Sequence, residues 1–144
     1  MDVSAFPAVD AGLLRAAVLR AVEADDGALA EISLTLLDDA AIGELNARWL
    51  ERDGPTDVIA FALGDGPDLV GDVYLGVEQA RRQAEEHGVP LEEELARLAI
   101  HGTLHVLGHD HPEGPDRLES PMFRLQERVL EDLLRTPRPG EGGP

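Results

Sequence analysis

The sequence predicts an α+β fold, in which one small domain packs a short mixed β-sheet with about five helices. The chain has 144 residues, a length that suits one domain around one core. Its longer segments repeat apolar side chains at helical spacing, whereas shorter segments alternate or are rich in β-forming residues. We expect this domain to span residues 1–135 and the Pro/Gly-rich segment 136–144 to be a disordered tail.

Five helices and three strands are predicted in chain order. Asp10 and Asp38 stand where their side chains can cap the first two helices, and Trp49 is expected to face inward on the second. The short spacing between the last two strands suggests antiparallel neighbours, although an intervening strand or a bulge stays open. The helices are expected at 10–24, 38–50, 77–87, from 90 to the glycine turn at 108, and at 115–134, and the strands at 29–37, 56–63 and 69–75.

The composition is strongly acidic and contains no cysteine. The formal net charge is −17, and all twelve basic residues are arginine. An acidic surface repels nucleic acid at long range, so RNA binding would need a local arginine patch; alternatively, the acidity simply keeps the protein soluble. Without cysteine, the candidate metal ligands are His, Asp and Glu. No apolar run approaches the ~20 residues of a membrane span, and no secretory signal is evident, so we expect a cytoplasmic protein.

Four of the five histidines fall within residues 101–111. His101 and His105 are four apart, which places both imidazoles on one face of a helix. Gly108 offers a helix-ending position that tolerates a left-handed backbone, so the chain can bring His111 back toward them. Three converging imidazoles suit zinc with a fourth position left to water. The pattern predicts one zinc per chain on His101, His105 and His111; the alternative is a solvated, histidine-rich helix end.

Three other polar residues bear on this site. His109 is not expected to bind the metal, because Asp110 separates it from His111 and one of the two histidines can readily face the ion. Asp110 could orient a ligating histidine, act as a base, or cap the loop. His87 lies alone beside a helix stop and is expected to be a helix-end cation.

The predicted metal site points to hydrolysis. Zinc on three neutral imidazoles lowers the pKa of bound water to about 7 and polarises carbonyl or phosphoryl oxygens. The spacing matches the His-Glu-x-x-His-x-x-Gly-x-x-His pattern of a large zinc peptidase group, but Gly102 stands where that pattern has its general base. Glycine cannot take a proton, which counts against ordinary peptide hydrolysis. A glycine here could instead admit a strand or a substrate closely.

The histidine block resembles the signature of the YbeY family of rRNA maturation endoribonucleases, and the resemblance extends over roughly residues 30–134. Three further stretches fit in the right order. They are Leu45-Asn46 followed by Asp53–Phe61, then Gly71–Leu75, and finally Met122-Phe123 with Gln126-Glu127.

The resemblance implies a zincin-like helix pair and zinc-dependent, single-strand-specific RNA cleavage. It implies a role in processing the 3′ end of small-subunit rRNA and in ribosome quality control, with rRNA, the small ribosomal subunit and ribosome-associated proteins as partners. The resemblance and the apolar character of strand 57–61 together predict that this strand lies beside the helix carrying His101 and His105, called here the metal helix. The strand would then form one wall of the active-site cleft. Two alternatives stay open: a peptidase-like zinc hydrolase, and a non-catalytic ribosome-assembly factor with structural zinc.

The chain departs from the family pattern at two places. Many members carry an arginine where this sequence has Leu50, and Arg48 or Arg52 could supply that charge to RNA instead. The usual Ser-Phe-Pro ending of the strand is replaced here, so Ala60 has no hydroxyl to offer. Three further arginines lie in segments that flank the helix carrying His101 and His105 or lead into the strand 57–61. They are Arg81, Arg82 and Arg97.

Overall fold

The fold is α+β, as predicted, with five helices and a three-stranded mixed sheet among the described residues. The computed structural model describes residues 6, 9–24, 30–64, 69–108 and 120–135; the predicted tail at 136–144 lies outside them. No helix in these ranges is long and apolar enough to cross a membrane. The elements are α1 (Ala11–Ala24), β1 (Ala30–Leu37), α2 (Asp39–Leu50), β2 (Val58–Leu63), β3 (Leu69–Gly76), α3 (Val77–His87), α4 (Leu91–Val106) and α5 (Pro121–Arg135).

Side chains cap the first two helices as predicted. The Asp10 carboxylate accepts a hydrogen bond from the Leu13 amide at 3.1 Å, and the Asp38 carboxylate accepts one from the Ala41 amide at 2.8 Å. Each bond satisfies an amide that would have no partner inside the first helical turn. Local sequence chemistry therefore fixes where α1 and α2 begin.

The last helix begins later than predicted. Ser120 precedes it, and the Ser120 hydroxyl accepts a hydrogen bond from the Phe123 amide at 3.1 Å. Pro121 is then the first helical residue. Proline costs no hydrogen bond at this position, because an amide hydrogen there would have no partner within the helix. The prediction of a helix that already includes Ser120 is therefore wrong.

The sheet has the strand order β1-β3-β2, with β3 in the centre. β1 runs parallel to β3, whereas β2 pairs with β3 in antiparallel register from Val58 opposite Leu75 to Leu63 opposite Val70. The prediction that β2 and β3 are antiparallel neighbours is confirmed. β2 is consequently an edge strand of the described sheet.

Helix α4 packs against both β2 and β3, and Gly102 is a point of close approach to both strands. A Cβ atom at Gly102 would lie 2.7 Å from Val73 Cγ1 and 3.2 Å from Val58 Cγ2. The missing side chain thus lets the helix rest directly on two strands, one of the two uses of a glycine that the sequence suggested. The predicted position of β2 beside the metal helix is confirmed.

The predicted inward orientation of Trp49 is wrong. The inner face at this end of α2 belongs to Asn46, which is 4% exposed and donates a hydrogen bond from its amide to the Gly54 carbonyl at 3.0 Å. Trp49 is 62% exposed and meets Phe61 of β2 edge to face, with ring centroids 6.3 Å apart. Phe61 meets Tyr74 in the same way at 6.3 Å. Trp49 at the end of α2 therefore forms a row of aromatic rings with Phe61 of β2 and Tyr74 of β3.

The fit at Gly102 predicts that alanine there destabilises the protein, although alanine favours a helix by about 1 kcal/mol. Val73 is buried and branched at Cβ, so it cannot turn aside, and overpacking of this kind costs about 1–3 kcal/mol. Gly43→Ala is the matched control, because its new Cβ would find no atom closer than 3.6 Å and should stabilise α2 by about 0.5–1 kcal/mol. Urea unfolding measures both variants, and equal stabilisation by the two would contradict the packing at Gly102.

Candidate metal centre

Helix α4 is buried along its second half and reaches solvent there through two histidines. From Leu98 to Val106 every residue is buried except His101, which is partly buried, and His105, which is exposed. Both lie in α4, as their spacing predicted. A surface helix normally exposes a broad polar face, so a segment with two imidazoles as its accessible side chains indicates a site.

The chain leaves α4 through a left-handed residue, as predicted. Gly108 has φ of +98°, and its amide donates a hydrogen bond to the His105 carbonyl at 3.0 Å. His109, Asp110 and His111 lie outside the described residues. The third ligand, the exclusion of His109 and the role of Asp110 therefore stay predictions. Within the described ranges, no group of three or more His, Cys, Asp or Glu residues could hold a metal ion.

The ring of His101 is held from behind by α5. Its Nδ1 lies 2.7 Å from Oε1 of Gln126, a residue that is 5% exposed. Histidines that bind metals commonly donate their second ring N–H to an oxygen in this manner. The contact engages Nδ1 of His101 and not Nε2. Gln126 is thus a candidate site residue that the sequence reasoning missed.

A signal for Gln126 was present in the sequence of α5. Met122, Val129, Leu130 and Leu133 form the buried face of this helix, and Gln126 is the polar residue in the middle of that face. A polar side chain among apolar positions at helical spacing has to find a buried partner. The identity of the partner depends on how α5 packs against α4, which periodicity does not reveal.

The amide of Gln126 belongs to a wider polar network. Its Nε2 donates to Glu127 Oε2 at 3.1 Å, and Arg97 Nε donates to the same oxygen at 3.0 Å. Arg97 Nη1 also donates to Glu94 Oε2 at 3.1 Å, and Glu94 is 2% exposed. Arg97 thus joins carboxylates of α4 and α5 beside the His101 ring.

These contacts remove Arg97 from the set of arginines available to RNA. Burial lowers the pKa of Arg97, but the hydrogen bond and charge of Glu127 and the charges of Glu94 and Glu93 raise it more, so its pKa lies above the ordinary value. The guanidinium is charged, and that charge is already matched by carboxylates at short range. Arg97 has a structural role here.

Two of the other candidate arginines lie on α3. Arg82 donates from Nη2 to both carboxylate oxygens of Asp39 at 3.0 Å, so it links α3 to the start of α2. Arg81 is exposed. The structure therefore assigns Arg82 to packing between helices and leaves Arg81 on the surface of α3.

Arg48 and Arg52 lie at the end of α2 and in the loop that follows. Arg48 is 3.5 Å from Glu44, and both side chains are largely exposed, at 67% and 73%. Exposed pairs of this kind are worth about 0–1 kcal/mol, so Arg48 can leave its partner at little cost. Arg52 is exposed, and within the described part of the chain its side chain forms no ion pair. Both remain candidates for RNA contact.

His87 lies in the last turn of α3, as predicted. Its Nδ1 is 3.4 Å from Oε2 of Glu94, and its side chain is 58% exposed. This places His87 at the Glu94 end of the polar network, seven residues before Glu94 in the chain. Its position is that of a helix-end residue facing a carboxylate.

Comparison with known proteins agrees with the fold and the motif helix. The family model described as Endoribonuclease YbeY matches residues 10–134. The Endoribonuclease YbeY of Desulfitobacterium hafniense is 44% identical over 134 residues, which cover 85% of this chain and 84% of that protein. The Endoribonuclease YbeY of Mycobacterium leprae is 40% identical over 143 residues, covering 91% of this chain and 79% of that protein.

A solved structure extends the likeness to the fold. The solution structure of a Thermotoga maritima protein has a TM-score of 0.60 and 29% sequence identity to this chain, and the match covers 83% of this chain and 78% of the other. One assignment follows from the fold, from the two accessible histidines on the otherwise buried part of α4, and from the family match over nearly the whole described region. This chain belongs to the endoribonuclease YbeY family.

Proposed function

We propose that this chain is a zinc-dependent endoribonuclease that cleaves single-stranded RNA during maturation of the small-subunit rRNA 3′ end and in ribosome quality control. The observation that carries the proposal is the accessible histidine pair on α4. His101 has its Nδ1 occupied by Gln126 at 2.7 Å, and His105 is exposed one turn later. The cytoplasm as its compartment, and the small ribosomal subunit and its associated proteins as partners, belong to the same proposal.

The residues present fit a zinc ion. His101 and His105 would bind it through ring nitrogens, and His111 would complete the set, giving the three-imidazole environment that suits zinc. When bound, such an ion lowers the pKa of water and stabilises negative charge on a phosphoryl oxygen. Ligands that are neutral leave the full positive charge of the ion to act on the phosphodiester.

The remaining chemistry belongs to the chain's own residues. Gln126 holds the His101 ring, and the contact of Gly102 with the sheet keeps α4 in place behind both histidines. Hydrolysis adds the water oxygen to phosphorus and breaks a P–O bond to ribose, so a proton must leave the water and one must reach the ribose oxygen. We assign to Asp110 an orienting role toward a ligating histidine, as its place in the sequence suggests.

RNA contact falls to the end of α2 in this proposal. With a net charge of −17, the chain as a whole repels phosphate, so attraction must be local. Arg48 and Arg52 supply positive charge there, and Trp49 between them exposes 62% of its surface. An exposed aromatic ring beside arginines is a platform on which an unpaired base can stack, which favours single strands.

The two alternatives are disfavoured by different observations. A peptidase of the matching spacing needs a general base at position 102, and the structure shows glycine packed against Val73 there. A structural zinc would be expected to hold together segments that have no other support. Helix α4, however, is already fixed by an apolar core that includes Leu95, Ala99 and Leu104.

Removing either described ligand should abolish RNA cleavage and leave the fold intact. We expect His101→Ala and His105→Ala each to lose more than about 100-fold of zinc-dependent cleavage of a single-stranded RNA carrying a small-subunit rRNA 3′ end, because each removes a ligand. His87→Ala is the matched control and should keep wild-type activity. Circular dichroism checks the fold, and unfolding of both ligand variants would instead support a structural metal.

Replacing Arg48 and Arg52 together with alanine should weaken RNA binding. Each phosphate contact with a single strand contributes a slope of about 0.7 to the dependence of log affinity on log salt, so the double variant should lose up to about 1.4 of that slope. Arg15→Ala with Arg135→Ala removes the same charge from exposed positions on α1 and α5 and should leave the slope nearly unchanged. Equal effects of the two double variants would show that net charge, rather than a local patch, controls binding.

Trp49→Ala should reduce affinity for single-stranded RNA without changing the salt slope. Stacking on one aromatic ring is worth about 1–3 kcal/mol per base, which corresponds to a loss of roughly 5- to 150-fold in affinity. Leu19→Ala is the control, because Leu19 of α1 is also a large exposed hydrophobic side chain, at 54%. Fluorescence anisotropy of a labelled RNA measures both, and an unchanged affinity for Trp49→Ala would exclude the stacking role.

A further inference from the structure

The His101 ring is fixed by a side-chain amide that is itself fixed. Gln126 Oε1 faces His101 Nδ1 at 2.7 Å, and the other end of the same amide, Nε2, faces Glu127 Oε2 at 3.1 Å. A carboxylate accepts hydrogen bonds and does not donate them, so the NH2 group must be the end that faces Glu127. The carbonyl end therefore faces His101.

Arg97 holds the Glu127 carboxylate in the position from which it orients the Gln126 amide. Arg97 Nε donates to Glu127 Oε2 at 3.0 Å, and Nη2 donates to Oε1 at 3.3 Å, which is a two-pronged contact. Arg97 is anchored in turn by the buried carboxylate of Glu94, at 3.1 Å. A chain of hydrogen bonds thus runs from a buried carboxylate to the imidazole ring, and each contact joins one donor to one acceptor. Its members are Glu94, Arg97, Glu127, Gln126 and His101.

We propose that Gln126 is a positioning residue that holds His101 as the Nδ1–H tautomer and directs its Nε2 lone pair to the metal, while Arg97 and Glu127 determine which end of the Gln126 amide meets the ring. A neutral imidazole carries one ring proton. A carbonyl oxygen 2.7 Å from Nδ1 requires that proton at Nδ1 and so leaves Nε2 as the electron-pair donor. This inference rests on the proposed zinc-dependent function, because it names the nitrogen that the metal uses.

The test compares four variants of the full chain by two measurements that do not involve RNA. Long-range ¹H–¹⁵N NMR of the metal-free protein reports which His101 nitrogen carries the proton, and competition with a chromophoric chelator measures zinc affinity. Gln126→Leu removes the acceptor, and Met122→Leu is the control on the same buried face of α5 one turn earlier. The double variant Gln126→Glu/Glu127→Gln exchanges the two side chains, so that an oxygen can still face His101 and an amide NH2 group can still join positions 126 and 127.

We expect Gln126→Leu to lose the single Nδ1–H tautomer and about 10- to 100-fold of zinc affinity, the range found when such outer partners of metal ligands are removed. The exchanged pair Gln126→Glu/Glu127→Gln should keep the Nδ1–H tautomer and near-wild-type zinc affinity, and Met122→Leu should match the wild type in both. Glu127→Gln, which removes the carboxylate that orients the amide, should give a smaller loss than Gln126→Leu.

Two results would overturn the positioning role. One is an unchanged tautomer and unchanged zinc affinity in Gln126→Leu. The other is loss of the Nδ1–H tautomer in the exchanged pair Gln126→Glu/Glu127→Gln, which decides the question even if the leucine variant does not fold. Wild-type protein that binds zinc but cleaves no RNA would overturn the proposed function, while the two measurements on Gln126 would still support or reject its role.

Discussion

The close contact between α4 and the sheet at Gly102 is the constraint on which the rest of the structure depends. Because a Cβ there would lie 2.7 Å from Val73, the helix can rest on β2 and β3 only if position 102 has no side chain. That contact sets the rotation of α4 about its own axis. With Gly102 against the sheet, His101 and His105 are placed at the one opening of an otherwise buried segment.

The same position explains how one spacing of histidines serves two kinds of chemistry. In the peptidase pattern, the residue after the first histidine is a glutamate that takes a proton from water. Here that direction is filled by the sheet, so a general base could not occupy it without moving α4 from β3. The close packing and the loss of the peptidase base are therefore two consequences of one residue, and neither can be changed without the other.

The arginines of this acidic chain divide into those paired with carboxylates and those available to phosphate. Arg97 and Arg82 are paired with carboxylates of neighbouring helices, Glu127 and Asp39, and act in packing. This leaves the loosely paired Arg48 and the exposed Arg52 for phosphate. Ion pairs that remain partly exposed to solvent contribute little stability. The pairing of Arg97 with Glu127 is better understood through what it orients, since Glu127 holds the amide that holds His101.

The sequence by itself determined the local features of this protein. The caps at Asp10 and Asp38, the helical spacing of His101 and His105, and the left-handed turn at Gly108 all follow from interactions within a few residues, and all were predicted. The family could be recognised as well, because the histidine block and its companion stretches are continuous in the chain. The position of Trp49 was predicted wrongly, because helical periodicity does not show where a helix runs past the sheet that it covers.

Tertiary structure decided the features that join distant segments. The bond from His101 to Gln126 spans 25 residues and that from Arg97 to Glu127 spans 30, and both exist because α5 packs across α4. Periodicity shows that Gln126 needs a buried partner, but any polar group on a facing element could have served. The partner was selected by the mutual position of two helices, which is set by the packing of many apolar side chains and not by any local pattern.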